Sequence, residues 1–219
     1  MTWGKITAKD KITITTDWNE LFPALGKYKP MHLMNRLGPL LVGILLEVKS
    51  GSDSYTPTFH IHNLVRPFPV ISLNLKRTLD ERYVHLEWHN KQYRELAMKM
   101  KETALIPFDG DVSLDVIIKG FMAYIDMGIY PFLPSTYEDM ILVSAWCGDY
   151  SQVNKGLVLA ESQMRLWPEH VLSRIGGLDT WLESVECKTK NRENLIVTSN
   201  RQSIELNVQD LPVRNIIVN

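Results

Sequence analysis

An α+β fold with its sheet ahead of its helices follows from three features of this chain. Over Tyr55 to Leu64 and Val70 to Lys76 apolar residues recur at every second position, from about His89 they recur at a helical spacing, and strands do not alternate with helices as a parallel sheet requires. The expected architecture is an N-terminal antiparallel β-meander of three to four strands followed by a mainly helical C-terminal half. With 219 residues, 45% of them apolar, and six tryptophans, the chain can bury a sizeable core. It is expected to form a single compact domain over 1–219, with a possible sub-division into a sheet-rich half, 1–104, and a helical half, 105–219.

Lys11 to Thr16 alternates isoleucine with lysine and threonine, which predicts a half-buried strand. Asp17 then offers an N-cap to a short helix carrying Trp18, Leu21, Phe22 and Leu25, closed by Gly26 and Pro30. Leu40 to Val48 is an almost continuous apolar run, and Ser50 to Ser54 has the composition of a turn. Tyr55 to Leu64 alternates again, with Tyr55, Phe59 and Ile61 on one face and Thr56, Thr58, His60 and His62 on the other. This predicts a hairpin with one wet face. After the break at Arg66-Pro67-Phe68-Pro69, Val70 to Lys76 predicts a third strand. In this register Ile12, Ile14, Phe59, Ile61, Ile71, Leu73 and Leu75 face the core, and His60, His62, Ser72 and Asn74 lie opposite.

From about His89 the stripe Tyr93, Leu96, Ala97, Met100 predicts an amphipathic helix. Ser113 can cap a helix bearing Val116, Ile117, Phe121 and Ile125, ended by Gly128 before the rigid loop Tyr130-Pro131-Phe132-Leu133-Pro134. Ser135-Thr136-Tyr137-Glu138 fits a capping box that opens a helix through Trp146, with Gly148 as its stop. A further helix is expected from about Tyr150 to Leu166, and Pro168 fits the first turn of the next, ahead of Val171, Ile175, Leu178, Trp181 and Leu182. Asn194 to Thr198 and Ser203 to Val208 are rich in β-branched residues, which favours a terminal hairpin. The helical pair around Ala145-Trp146-Cys147-Gly148-Asp149-Tyr150 resembles one hairpin of a tetratricopeptide repeat. No second copy follows at the spacing of about 34 residues that such arrays need, so no array function is implied.

The net charge of −1 argues against a general nucleic-acid binder, which needs a clustered excess of Lys and Arg. The charge is unevenly placed. Ala104 to Asp149 holds the acids Asp109, Asp111, Asp115, Asp126, Glu138, Asp139 and Asp149 against the single base Lys119. Cys147 and Cys187 are too few for a disulfide framework and lack CxxC spacing, consistent with a reducing compartment. Met1-Thr2-Trp3-Gly4-Lys5 leads into no apolar signal core, and the longest apolar stretch, Leu37 to Leu46, is about half of what spans a bilayer. A soluble, cytoplasmic protein without membrane contact is expected.

Four of the six histidines, His60, His62, His85 and His89, fall close together in the sequence and are the one gathering of a reactive side-chain type. Converged, they would supply zinc ligands and make a metal-dependent hydrolase. His85-Leu86-Glu87-Trp88-His89 lacks the glutamate directly after its first histidine, so it is not the metalloprotease motif. Sequences of the forms GxGxxG, GxxxxGK[ST] and GxSxG are absent. Cys147 with His170 would be a nucleophile and base, but Cys147 ends an apolar helix, where cysteine packs as a small hydrophobe. Trp88, Trp146, Trp167 and Trp181 sit where burial explains them.

The expectation is therefore a non-enzymatic protein-binding protein, without cofactor, of the inhibitor or immunity type. An acidic surface from Asp109, Asp111, Asp115, Asp126, Glu138 and Asp139 would cover the basic cleft of a toxin such as a nuclease, with Trp88 or Tyr130 as apolar anchor. The rivals are the histidine-centred hydrolase and a helical adaptor or scaffold.

Overall fold

A computed structural model describes residues 4–79 and 83–218, so the expectations for Met1, Thr2 and Trp3 lie outside the described residues. The fold is α+β, with an antiparallel sheet in the N-terminal half and mostly helices after it. No helix of the described residues is long and apolar enough to cross a membrane.

The chain starts with a helix where a strand was expected. The Thr7 hydroxyl accepts from the Asp10 N–H while the Asp10 carboxylate accepts from the Thr7 N–H, and this reciprocal cap opens α1 (Ala8–Leu21). Ile14, Thr15 and Trp18 are buried, whereas Ile12 is 61% exposed and so does not face the core. The Thr15 hydroxyl donates to the Lys11 carbonyl one turn back and accepts from the Met31 N–H, which accommodates a β-branched residue inside the helix.

Two unforeseen strands, β1 (Gly26–Lys29) and β2 (His32–Leu37), precede the expected hairpin of β3 (Leu40–Val48) and β4 (Ser54–Asn63). The third expected strand is displaced to β5 (Asn74–Thr78), because Val70 to Leu73 makes no ladder. These strands lie in the order β1-β2-β3-β4-β5, and β6 (Val84–His85) adds to β4 beside its start. The pairing of β5 with β4 slips between Phe59 and Ile61, and Leu75 takes φ 50° in that bulge, which turns its side chain into the core.

The register fixes two faces. Leu33 pairs Ile44, which pairs Phe59, and Asn35, Val42 and Ile61 follow on the same side. This face packs on Trp18, Phe22, Phe121 and Ile117 and on Tyr93 and Leu96 of α2 (His89–Thr103). The opposite face carries His32, Met34, Leu41, Gly43, His60 and His62. It was expected to be wet and is not: Leu64, Ile71, Leu206, Val208 and Leu211 fold over it, so His60 and His62 are 0% and 1% exposed. The alternation gave the side on which each residue points. Much of what covers that side, Leu206, Val208 and Leu211, comes from a distant segment.

The remaining chain forms β7 (Val112–Ser113), α3 (Leu114–Met127), α4 (Pro134–Cys147), α5 (Tyr150–Met164), the short α6 (Glu169–Leu172), α7 (Leu178–Thr189), α8 (Arg192–Glu205), β8 (Val213–Arg214) and β9 (Ile216–Ile217). Ser113 caps α3, and Gly128 and Gly148 end α3 and α4 at φ 60° and 83° as expected. The proposed capping box at Ser135 is not formed. Leu133 is the N-cap and Pro134 occupies the first turn, where its missing N–H costs nothing. α4 is buried from Thr136 to Ala145 because α3, α5, α7 and α8 all pack on it.

The expected terminal hairpin is α8 instead. Asn191 caps it through the Asn194 N–H, and Leu195, Ser199, Gln202 and Ser203 form its buried stripe, while the β-branched Val197 and Ile204 point outward. The last segment returns to the sheet: β8 pairs in parallel with β2, and β9 with β7. Buried Arg214 donates to the carbonyls of Pro107, Asp109 and Gly110, which ties the C-terminus to the loop before α3.

Candidate functional site

The four histidines singled out in the sequence do not converge. His60 meets His32 instead, with their Nε2 atoms 2.7 Å apart. Its ring reaches across β3 because Gly43 lies beneath it and offers no side chain. At that distance one nitrogen carries the proton and the other accepts it. Burial pushes the His32 ring down to about 4 and His60 well below its ordinary value, so the pair is neutral near pH 7. His62 binds the Ser72 N–H and hydroxyl through Nδ1 and is likewise lowered to about 4 by burial. His85 is half exposed and lies 3.3 Å from Asp53.

His89 belongs to a buried chain of bonds. The Trp18 indole N–H donates to the Tyr55 hydroxyl (3.0 Å), the Tyr55 hydroxyl lies 2.7 Å from His89 Nδ1, and His89 Nε2 lies 2.9 Å from Asp17. An indole nitrogen only donates, so the phenol proton goes to Nδ1 and the Nε2–H points at Asp17. This relay joins α1, β4 and α2. Among the described residues no group of three or more His, Cys, Asp and Glu is placed to hold a metal ion. Burial raises the partly buried Cys147 thiol to about 12, and His170 is not among the groups that act on it.

The acids expected on one surface are divided. Asp139 is 0% exposed, so it is no surface residue: its carboxylate takes Arg66 at 3.0 Å and the Asn74 amide. Burial pushes this carboxyl above its ordinary range, and the Arg66 guanidinium draws it back. Glu138 is also buried and pairs with Lys188 at 2.7 Å. α4 carries both because its whole circumference is covered. Asp109, Asp111, Asp115 and Asp126 are exposed, although Asp111 already accepts from the Asn215 N–H and amide. Asp115 and Asp126 lie in the first and last turns of α3, on one side of it and about 16 Å apart.

The exposed apolar surface gathers where α3 hands over to α4. Met127, Ile129, Tyr130, Phe132 and Leu133 are all exposed, on a loop stiffened by Pro131 and Pro134. Phe132 sits at φ 66°, a conformation that costs a side-chain-bearing residue of order 1–3 kcal/mol. Its ring packs edge-on against Trp167 at 5.5 Å between centroids, and Trp167 in turn leans on Tyr137 at 6.0 Å. Beside them opens a cavity of about 170 Å³ whose lining includes the aromatic residues Tyr124, Tyr130, Phe132, Tyr137 and Trp167 together with the polar Thr136 and Gln163. Asp126 adjoins it: its neighbours Ile125 and Gly128 line the cavity, and its charge helps burial to hold the Tyr137 phenol protonated above its ordinary value.

The chain matches no family model, no curated protein and no solved structure.

A larger cavity of about 390 Å³ borders His32, Lys29 and Glu205 on the covered sheet face. Among its polar groups, His32 meets His60, Glu205 pairs with Gln202 and Arg201, the Tyr28 hydroxyl donates to the Leu206 carbonyl, and Lys29 lies over the Tyr28 ring. The other expected anchor, Trp88, is half exposed on a one-turn 3₁₀ helix and donates to Glu87. Of the tryptophans read as core, Trp181 is buried and Trp146 and Trp167 are partly so. Tyr130 is thus the expected anchor that lies in an apolar surface. Its companions Tyr124, Phe132, Tyr137 and Trp167 carried no signal of their own, since they come from two helices, a loop and a segment more than thirty residues on.

Proposed function

We propose that this chain works by binding another protein, as an inhibitor or immunity-type protein whose partner presents a basic surface. The observation that carries this reading is the run of exposed apolar side chains from Met127 to Leu133 on a proline-stiffened loop with Asp126 at its edge. Rigid aromatic side chains lose little conformational freedom when a partner covers them, so they supply affinity, while the flanking carboxylates steer encounter. Asp115 and Asp126 carry the charge complementarity in place of the wider acidic surface, because Glu138 and Asp139 serve the interior. A nuclease-type toxin suits such a partner, since a cleft that holds nucleic acid is positive.

The test is a comparison of partners. Wild-type protein, the loop variant I129S/Y130S/F132S and the charge variant D115K/D126K are used as baits for the proteins encoded beside the gene and for whole-cell extract, with captured proteins quantified by mass spectrometry. One partner bound by the wild type should be lost with the loop variant, weakened in the charge variant and bound more slowly as salt rises. An identical partner set for all three folded baits refutes the reading.

A further inference from the structure

The pocket beside Asp126 is more specific than an apolar anchor. Five aromatic residues line it, contributed by α3 (Tyr124), the α3–α4 loop (Tyr130, Phe132), α4 (Tyr137) and the segment after α5 (Trp167). The Phe132 and Tyr137 rings are inclined at 74° and 59° to Trp167, which they both contact. Aromatic faces are electron-rich, and a space bounded by several of them attracts an organic cation. Tyr124 and Tyr137 are held in the neutral phenol form, Tyr124 up to about 12, by burial above all. The exposed carboxylate of Asp126 lies close enough to act on the Tyr137 phenol, and Arg165, two residues before Trp167, is paired with Glu161. The φ of Phe132 holds its ring at the wall. Strained residues of this kind cluster at ligand clamps.

We infer that this pocket is a cation cage that takes the side-chain ammonium or guanidinium of a lysine or arginine on the protein partner. The inference rests on the protein-binding reading and names the chemistry of its central contact. Such a residue would slide its alkyl stem along Phe132 and Tyr130 and set its charge among the rings with Asp126 at the rim. An uncharged side chain of the same length would gain the first contact and forgo the second.

The probes are Nα-acetyl-lysine methylamide, Nα-acetyl-arginine methylamide and the uncharged Nα-acetyl-norleucine methylamide, titrated into the full chain while the Trp167 indole resonance, assigned through W167F, is followed by NMR. Saturable shifts are expected with the two cations, at least about threefold tighter than with norleucine. D126N, an exposed change that leaves the fold intact, should reduce that preference without altering norleucine binding, and F132L should weaken all three. Equal or tighter binding of norleucine overturns the cage, as does the absence of any saturable shift. The two readings separate cleanly. A partner lost with I129S/Y130S/F132S while the probes show no cation preference removes the cage and leaves protein binding standing. A cation preference in a chain whose partners ignore the loop refutes the protein-binding reading and, with it, a partner's lysine or arginine as the occupant, and leaves only the pocket's preference for cations.

Discussion

The His32–His60 contact links protonation to stability. In the unfolded chain both rings titrate near their ordinary value of about 6.5. In the fold, burial lowers His32 and His62 to about 4 and His60 further. Between about pH 4 and 6.5 the unfolded chain therefore binds more protons, and stability must fall as the pH drops through that window. The contribution is fully present above about 6.5, and for His32 alone its loss is on the order of 3 kcal/mol. Urea denaturation across pH 4–7 should show this slope, and H32L/H60M should flatten it while leaving the share of His62. An unchanged slope in the double variant would place the titration elsewhere. No local pattern announced this pair. His60 was visible on its strand, but its partner lies on β2, which the sequence did not reveal, and the two meet only because Gly43 leaves the space between them open. Asp139 misled for a related reason: a carboxylate in an acidic stretch reads as surface until Arg66 and Asn74, far away in sequence, arrive beside it.

At the scale of elements, the sharpest contest between local preference and tertiary packing is α1. Isoleucine and threonine in alternation favour a strand, yet the Thr7–Asp10 cap and the Ile14–Trp18 spacing win because they agree with burial on one side. Ile12→Lys should change stability by no more than about half a kcal/mol, since its side chain is in water. Ile14→Lys, which buries a charge, should abolish folding or cost upwards of about 4 kcal/mol in chemical denaturation. Equal costs at the two positions would restore the strand. The same conflict recurs in α8, where the outward Val197 and Ile204 mimic strand composition while a buried stripe built from Ser199, Gln202 and Ser203 is too polar to stand out. α2 with its apolar stripe and α3 and α4 with their glycine stops were legible, as was the β3–β4 hairpin with its turn. Where the buried face is polar or covered on both sides, as in β2, periodicity carries no such mark.

For the whole molecule, the order of sheet and helices was plain, but the way the chain closes on itself was not. The C-terminal segment crosses back to lay β8 against β2 and β9 against β7, and Arg214 holds the loop carbonyls between the sheet and α3. From the sheet side, Arg66 and Asn74 reach Asp139 in the most buried helix, the Asn63 amide donates to the Asp139 carbonyl, and the Phe68 N–H donates to Gln202 of α8. Contacts of this kind make separate unfolding of residues 1–104 and 105–219 costly, because either half alone would leave a buried partner unpaired. A single cooperative transition is expected, with hydrogen exchange in β3 and α4 protected to the same free energy. Arg66→Ala leaves the Asp139 carboxyl buried without its cation and should cost about 3–5 kcal/mol. That loss should appear equally in the exchange of β3 and of α4, since the pair belongs to both. Loss of protection in α4 alone, with β3 unchanged, would show instead that the helices unfold on their own and that the sheet keeps its core without them.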